Sequence, residues 1–421
     1  MIIQQTTTPL LPFYSHLKEW KSELIKEMVG KKLKELRTPS LVIDKTILER
    51  NCNKLSKITT ELNTKVRVHV KTHKTVEGAR IQLENTKTDA IVVSTLAEAY
   101  AMIDSTLTKS GLLKDVLLGF PITPDKFNDV IELSKRVNTF QIFIDDLQTL
   151  EALEAFCLGK DYKFNTFLKV NCGYSRAGVP LNDVQSIELA KRLQASPHIN
   201  FIGIYTHAGH SYSSETPEKA LEYLQEECNI ARQFRDYFTN HGIHIGYVSI
   251  GATPTVKAII AFLESIDMKR VLEGIDEVHA GAYAFLDKQQ VFTGLGNYCD
   301  VAITVATRVV SHYKDRNSIL IDAGGLAFSK DTAPQGGYGY VLEHENGESK
   351  ILASVSKLSQ EHGLLQELDP AILLRPEFQI GEVIRVIPNH CCLAAACHLF
   401  YLIIENGSDI VVDVWVPIKG W

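Results

Sequence analysis

A lysine at the end of an apolar run is the first residue whose type and position could do chemistry. Lys71 closes the run VRVHVK (66–71), and His73 and Lys74 follow it. A lysine amine in a partly buried, low-dielectric site loses its proton more readily, which makes it a nucleophile towards an aldehyde. The pattern alone leaves a plainer interpretation open, in which the amine of a strand-end lysine simply reaches solvent.

Two small-residue loops, SIGATPT (249–255) and HAGAY (279–283), predict a site for a phosphate group. Backbone amides near the start of a helix are favourable partners for a phosphate. The candidate donors are the amides of Gly251, Ala252, Gly281 and Ala282 and the hydroxyl of Thr253. Glycines in ordinary turns are the alternative, but two separate loops agree on the phosphate site.

Two further segments place polar side chains directly after apolar runs. YTHAGH supplies Tyr205, His207 and His210, and NCGYSRAG supplies Arg176. An arginine at such a point can contact a cofactor or a carboxylate. A structural salt bridge explains Arg176 equally well.

The segment PNHCC (388–392) is the candidate metal site. His390 and Cys392 are two residues apart, so on a strand both side chains would point the same way, and imidazole with thiolate suits zinc. We expect Cys391 to face the opposite side, and we interpret Cys397 as a core residue. A buried histidine and cysteine without a metal remain the alternative.

The elements that must position these residues alternate along the chain. Apolar runs typical of buried strands are followed by segments of helical periodicity, several of which begin with Thr or Asp as helix caps. The predicted strands are 66–71, 90–95, 115–120, 140–145, 166–171, 201–207, 247–252 and 277–281. This pattern predicts an α/β fold, a (β/α)8 barrel with its active site at the carboxyl ends of the strands; a doubly wound open sheet is the competing fold.

The flanking segments have a different character. Residues 1–38 predict a helical arm, 39–294 the barrel, and 295–421 a mostly antiparallel β domain with turns rich in Gly, Asn and Asp. The net charge of −6 and the lack of a basic run argue against nucleic acid as a partner. No membrane span or secretory signal is evident, so we expect a cytoplasmic protein. Eight cysteines in 421 residues do not indicate a disulfide scaffold.

Taken in order along the chain, the motifs resemble those of the eukaryotic D-serine dehydratase family, and the fungal members in particular. The motifs are HVKTHKT, VSTLAEA, KVNCGYSRAGV, YTHAGHSY, VSIGATPT, EVHAGAY, SQEHG, PNHCC and DVWVPIKGW. The family resembles the fold-type III pyridoxal-phosphate (PLP) enzymes, which include alanine racemase and D-threonine aldolase. The resemblance implies a barrel with a β domain, a homodimer, and PLP with zinc as cofactors.

The resemblance also implies a role for each candidate residue. Lys71 corresponds to the catalytic lysine that holds PLP as a Schiff base, and His390 with Cys392 to the zinc pair. The remaining cofactor contacts that it implies are Arg176 near the phenolic oxygen, Tyr205 and His207 beside the pyridine ring, and Gly251, Thr253, Gly281, Ala282 and Tyr283 in the phosphate loops. Asn171 departs from the family, where many relatives carry Asp.

The activity implied is removal of the β-hydroxyl of D-serine to give pyruvate and ammonia. Zinc would assist a hydroxyl that is a poor leaving group, and His-x-Cys favours this reaction over the aldolases, which tend to carry His-x-Asp. The alternatives are D-threonine aldolase-type cleavage of 3-hydroxy D-amino acids and a non-catalytic PLP-binding protein. Glu361 and His362 are further candidates for the substrate pocket.

Overall fold

A computed structural model describes residues 13–332, 336–345, 348–366 and 378–421. The described chain begins with helix α1 (Phe13–Met28), strand β1 (Ser40–Asp44) and helix α2 (Lys45–Glu61). The first twelve residues of the predicted arm lie outside the described residues. Within the described ranges, no helix is both long enough and apolar enough to span a bilayer.

A closed parallel barrel forms the centre of the first compact unit, and it confirms the predicted fold. Among the described residues, eight strands pair in chain order and the last pairs with the first. They are β2 (Lys65–His69), β3 (Ala90–Val93), β4 (Asp115–Pro121), β5 (Thr139–Ile144), β6 (Phe164–Lys169), β7 (Ile199–Tyr205), β8 (Val248–Ile250) and β9 (Glu277–Ala280). Seven of these eight strands are buried along most of their length, because helices cover their outer faces, and β4 is buried over Val116, Leu117 and Leu118.

The helices between these strands begin where the sequence places their caps. The side chains of Thr95, Asp146, Asp183 and Thr216 each accept a hydrogen bond from a backbone amide in the first turn of the following helix. The barrel helices are α3 (Val76–Thr86), α4 (Leu96–Ile103), α5 (Thr106–Lys109), α6 (Phe127–Ser134), α7 (Leu147–Cys157), α8 (Val184–Ala195), α9 (Pro217–Asn240), α10 (Thr253–Ala261) and α11 (Met268–Val271).

The amino-terminal end of the barrel is closed by a buried ion-pair network. Arg67 donates two hydrogen bonds to Asp115, both of 2.8 Å, and one of 2.9 Å to Glu277, which also accepts from the Ser249 hydroxyl. Burial disfavours the charged guanidinium, yet the two carboxylates hold the pKa of Arg67 well above its usual range. This network lies at the end of the barrel opposite to the carboxyl ends of the strands, where (β/α)8 enzymes do chemistry.

The second unit is the predicted, mostly antiparallel β domain. Its elements are α12 (Lys288–Phe292), β10 (Ile303–Tyr313), β11 (Ser318–Ile321), α13 (Gly325–Phe328), β12 (Gly339–Glu345), β13 (Glu348–Leu358), β14 (Gly363–Gln366), β15 (Val383–Pro388), α14 (Cys391–Ala396), β16 (Tyr401–Ile404) and β17 (Asp413–Trp415). In the described chain, β10 to β15 form a closed ring of six strands, because β10 pairs with both β15 and β11.

The boundary between the units differs from the expected 1–38, 39–294 and 295–421. The described residues of the first unit are 53–281 with 418–421, and those of the second are 13–52 with 282–417. The run that ends the TPSLVID motif forms β1, which pairs antiparallel with β10 and parallel with β16. Backbone hydrogen bonds therefore place this segment in the β domain.

Candidate active site

Lys71 lies just beyond the carboxyl end of β2, and it is the unpaired cation of its motif. His73 is buried, with its ring nitrogens 2.9 Å from the Thr75 hydroxyl and 2.9 Å from the Gln82 amide oxygen. Lys74 forms an ion pair of 2.9 Å with the buried Glu98. The half-buried amine of Lys71 makes no hydrogen bond or ion pair with any described residue. Of the polar residues in HVKTHK, the structure leaves this amine available for a ligand.

A cluster of two histidines and a tyrosine lies at the carboxyl end of the barrel strands. His279 Nε2 is 2.8 Å from the carbonyl oxygen of Thr206, which can only accept a hydrogen bond, so Nε2 carries the proton. His279 Nδ1 is then an acceptor, and His69 Nε2 donates to it across 3.3 Å. The Tyr205 hydroxyl also lies 3.3 Å from His69 Nε2. Sequence reasoning did not single out His69 or His279; a polar residue inside an apolar run was the signal available.

Burial keeps the imidazoles of the cluster neutral. It lowers the pKa of His69 and of His279 well below the usual range, and nearby cationic groups act in the same direction. His207 donates from Nδ1 to the Gly251 carbonyl oxygen across 2.7 Å, and burial lowers its pKa to about 3. The second ring nitrogen of His207, Nε2, therefore remains an unprotonated acceptor.

Two of the amides predicted to bind a phosphate are engaged within the protein. The Gly251 amide donates to Glu227 and the Ala252 amide to the Thr255 hydroxyl, both across 3.0 Å.

The predicted phosphate loop leads into helix α10, which begins at Thr253. Thr253 is 1% exposed, and its hydroxyl has no hydrogen-bond partner among the described residues. Gly251 has a φ of +150°, and a Cβ atom there would lie 2.3 Å from the His279 carbonyl oxygen. An unsatisfied buried hydroxyl at a helix N-terminus fits a phosphate group.

The second predicted phosphate loop, HAGAY (279–283), is closely packed. A Cβ atom on Gly281 would lie 2.8 Å from His69 Cβ, so only glycine fits there. Ala282 begins a short turn in which its carbonyl oxygen accepts from the amides of Phe285 and Leu286. Tyr283 is buried, and its side chain is hydrogen-bonded to that of Cys52.

Glu227 of helix α9 connects the loops that follow β7 and β8. One carboxylate oxygen accepts from the amides of Ala208 and Gly251, both at 3.0 Å, and the other accepts from the Thr255 hydroxyl at 3.2 Å. Burial raises the pKa of Glu227 to about 7. Sequence reasoning did not single out Glu227, because it is one of several glutamates in a long amphipathic helix.

Arg176 occupies the exposed loop after β6. Its guanidinium carbon lies 5.2 Å from the centre of the Tyr174 ring, and no ion pair to it is present among the described residues. Asn171 shapes the loop, since its side-chain oxygen accepts from the amides of Gly173 and Ser175, both at 3.0 Å. The salt-bridge interpretation of Arg176 therefore finds no support in this part of the chain, and Asn171 has a structural role of its own.

A second buried lysine, Lys169, lies at the end of β6. Its amine is 4.5 Å from the centre of the Phe143 ring, and burial together with the charge of Arg176 lowers the pKa of Lys169 to about 8. The sequence did not identify this residue. The electrostatic influence of Lys169 and Arg176 on His207 indicates a positively charged environment at this end of the barrel.

The metal candidates have a different geometry from the one expected. His390 precedes helix α14, which begins at Cys391, so His390 and Cys392 do not lie on one strand and the expectation of a common strand face was wrong. His390 Nδ1 is 2.7 Å from a carboxylate oxygen of Asp331. Burial disfavours the charged imidazole, but Cys392, Asp287 and Asp331 raise the pKa of His390 to about 10.

The neighbouring cysteines and histidine have other partners, and Cys397 is exposed, so its interpretation as a core residue was wrong. The amide of Cys391 donates to Asp287 across 2.7 Å, the Cys397 thiol donates to the Leu393 carbonyl oxygen across 3.3 Å, and His398 donates to the Ala327 carbonyl oxygen across 3.0 Å. Over the described ranges, no three His, Cys, Asp or Glu side chains are grouped to hold a metal ion. A zinc site on His390 and Cys392 therefore remains a prediction.

The other pocket candidates, Glu361 and His362, are exposed residues of the β domain. They follow β13 in a turn in which the amide of Ser359 donates to the carbonyl oxygen of His362 across 2.9 Å. Within the part of the chain that the structure describes, no contact of their side chains points to a ligand.

Comparison with known proteins connects both units with one group of enzymes. Residues 43–275 match the family described as alanine racemase, N-terminal domain, and residues 302–404 match the putative serine dehydratase domain. The D-serine dehydratase of Schizosaccharomyces pombe is 38% identical, over 95% of this chain and 96% of the relative. That of Dictyostelium discoideum is 30% identical, over 92% of this chain and 98% of the relative.

A similar solved structure is D-threo-3-hydroxyaspartate dehydratase from Delftia sp. HT23. It has a TM-score of 0.81 and 27% identity and covers 93% of this chain and 100% of its own. Structures of D-threo-3-hydroxyaspartate dehydratase variants include one with a histidine replaced by alanine. Another, in metal-free form, has a cysteine two positions further along replaced by alanine.

Proposed function

The chain belongs to the D-serine dehydratase family, and we propose that it is a lyase that eliminates the β-hydroxyl of D-serine, giving pyruvate and ammonia. The observation that carries this proposal is the amine of Lys71, which has no partner among the described residues and lies at the end of the barrel where such enzymes do chemistry. The similarity to the two D-serine dehydratases, which extends over nearly the whole chain, supports the choice of substrate.

The residues around Lys71 fit PLP. The buried hydroxyl of Thr253 and the first turn of α10 would hold the phosphate, the Lys71 amine would bind the aldehyde carbon, and Arg176 would neutralise the phenolic oxygen. Tyr205 and His207 would lie beside the pyridine ring. When bound, the cofactor supplies an electron sink for the pair left behind when the α-proton is removed.

The chain's own groups then move the proton and set the charge. Once the amine of D-serine has replaced it on the aldehyde carbon, the freed Lys71 amine would be the base for the α-proton of D-serine. His207 stays neutral throughout, because burial lowers its pKa to about 3. The cationic groups Lys169 and Arg176 favour an anionic ligand at this end of the barrel.

We propose that His390 and Cys392 hold a zinc ion, with Asp331 orienting the imidazole through Nδ1. Imidazole and thiolate are donors that zinc prefers, and two protein ligands leave positions open for substrate and water. Zinc would supply Lewis acidity towards the β-hydroxyl group. The His-x-Cys spacing equals that of the two residues replaced in the D-threo-3-hydroxyaspartate dehydratase variants. We also propose a homodimer, as the family resemblance implies, and a cytoplasmic location, as expected from a sequence in which no membrane span or secretory signal is evident.

Pyruvate formation from D-serine tests the proposal. We expect purified holoenzyme, coupled to lactate dehydrogenase, to form pyruvate, to lose this activity with a zinc chelator and to regain it with added zinc. Lys71→Ala should form none, whereas Lys135→Ala, at an exposed lysine, should match the wild type. Acetaldehyde from D-threonine without pyruvate from D-serine would show an aldolase instead, and neither product with PLP bound would indicate a carrier.

A further inference from the structure

The β domain contains a cavity of about 680 Å³ that the proposed reaction does not use. It is lined by the end of β1, the first turns of α2, parts of β10 and β15, and the turn that follows β16. All of these segments belong to the second unit.

Arg385, on β15, faces this cavity. It is half-buried, and among the described residues its guanidinium makes neither a hydrogen bond nor an ion pair. An arginine keeps its charge and carries five N–H donors in a fixed fork. Burial lowers the pKa of Arg385, and the more distant carboxylates Asp44 and Asp409 only partly oppose this effect. A partly buried charge with unused donors is unfavourable unless an anion satisfies it.

The other charged groups of the lining do not neutralise Arg385. The carboxylate of Asp44 already accepts from the amides of Thr46, Ile47 and Gly407, at 3.0, 3.3 and 2.7 Å. Arg50 donates through one nitrogen, Nη2, to the Cys299 carbonyl oxygen and to Asp300. Arg50 is therefore balanced by Asp300 and Asp44 is bound to backbone amides, so Arg385 is the charged group of the lining that has no partner among the described residues.

The neutral part of the lining favours an organic ligand over a bare inorganic ion. Ile47, Val301, Leu342 and Ile387 supply apolar wall. Tyr298 contributes an aromatic ring, and its hydroxyl has no hydrogen-bond partner in the described chain. Burial raises the pKa of Tyr298 to about 12, so the hydroxyl remains a donor at neutral pH.

We propose that this cavity is a second ligand site, which binds a small organic carboxylate with an apolar body. Arg385 receives the carboxylate in a two-point hydrogen bond, the Tyr298 hydroxyl donates a further bond, and the apolar wall covers the rest of the ligand. The site is independent of Lys71, so its test is independent of the proposed reaction.

Benzoate is a suitable probe, and its neutral isostere benzamide and inorganic phosphate serve as comparisons. In titration calorimetry with the wild-type holoenzyme, we expect benzoate to bind at least ~10-fold more tightly than benzamide or phosphate, because only benzoate satisfies both the guanidinium and the apolar wall. Arg385→Met should weaken benzoate binding at least ~10-fold, and Arg385→Lys should weaken it less, since the charge remains. Arg316→Met, at an exposed arginine of the same unit, is the matched control and should bind as the wild type does.

The outcomes separate this cavity from the active site. Cooperative unfolding and unchanged pyruvate formation in Arg385→Met would show that the variant is folded. Benzoate affinity that survives in Arg385→Met, or that D-serine abolishes by competition, would overturn the proposal and assign the ligand to the barrel. Absence of binding at millimolar benzoate, equal binding of benzamide, or tighter binding of phosphate would overturn it as well.

Discussion

The imidazole of His279 lies flat against the phenol ring of Tyr205, with ring centroids 4.0 Å apart and ring planes 8° apart. The Tyr205 ring also contacts Phe143 inside the barrel, at a centroid distance of 4.5 Å. Tyr205 therefore belongs both to the apolar core and to the histidine cluster. The candidate cofactor site rests on the packed interior of the barrel.

This double role predicts different effects for two substitutions of Tyr205. Tyr205→Phe keeps the stacked ring and removes a hydroxyl whose hydrogen bond to His69 is long, so we expect a loss of no more than ~1 kcal/mol in the free energy of unfolding. Tyr205→Ala opens a cavity beneath His279 and should cost roughly 3–5 kcal/mol. Urea unfolding of both variants measures these free energies. Equal losses in the two variants would show that packing of the Tyr205 ring is not the main contribution of this residue to stability.

Gly251 is a position at which we expect one added methyl group to lower both the stability of the fold and the affinity for PLP. Gly251→Ala brings Cβ within 2.3 Å of the His279 carbonyl oxygen at a φ of +150°. We expect a loss of at least ~2 kcal/mol in the free energy of unfolding, with weaker PLP binding measured by absorbance titration. Gly246→Ala is the control, because its Cβ would meet nothing closer than 3.5 Å. Similar behaviour of the two variants would contradict the close packing of the loop.

Substitution of Cys392 should remove the proposed zinc ion without removing PLP. Cys392→Ala should abolish pyruvate formation and lower the bound zinc, while PLP stays bound, because the proposed PLP contacts are made by other residues. Visible absorbance and metal analysis of the same preparation measure both quantities. Cys397→Ala, which removes an exposed thiol that donates to a backbone carbonyl, should behave as the wild type does. Full activity of Cys392→Ala would rule out the zinc role.

The barrel could be predicted from the sequence because its strands are short, continuous apolar runs separated by capped helices. Strand ends were less certain, since β2 ends at His69 and leaves Lys71 beyond it. The division into units could not be predicted, because β1 pairs with β10 and β16, which are distant in sequence. Such long-range pairing leaves no local pattern.

Some residues of the candidate site could likewise be predicted from the sequence, and others could not. Lys71 could be found because it closes an apolar run, and Thr253 because it follows a glycine-containing loop and begins a helix. The partners that support them, His69, His279 and Glu227, have no distinctive local pattern and are recognised only from hydrogen bonds between distant segments. The geometry of His390 and Cys392 was predicted wrongly, because the alanine-rich run after Cys391 forms a helix.

The buried carboxyl group of Glu227 should make the free energy of unfolding depend on pH. Burial raises the pKa of its carboxyl group from 4.5 to about 7, so between these values the folded protein binds more protons than the unfolded chain. The contribution of this group to stability is therefore fully present below pH 4.5 and is lost as the pH rises towards 7, by up to ~1.4 kcal/mol per pH unit. Glu227→Gln does not titrate, so this slope should disappear in the variant.

The glutamine keeps an oxygen that can accept from the amides of Ala208 and Gly251, so the two loops should remain in place. The measurement is urea unfolding of wild type and Glu227→Gln between pH 4.5 and 8. We expect the wild type to lose stability relative to the variant as the pH rises to about 7, and the difference to stay constant above it. Glu226→Gln, at the exposed neighbouring residue, should run parallel to the wild type. A wild type that runs parallel to Glu227→Gln as well would mean that the Glu227 carboxyl group does not change its protonation between the folded and unfolded states in this range.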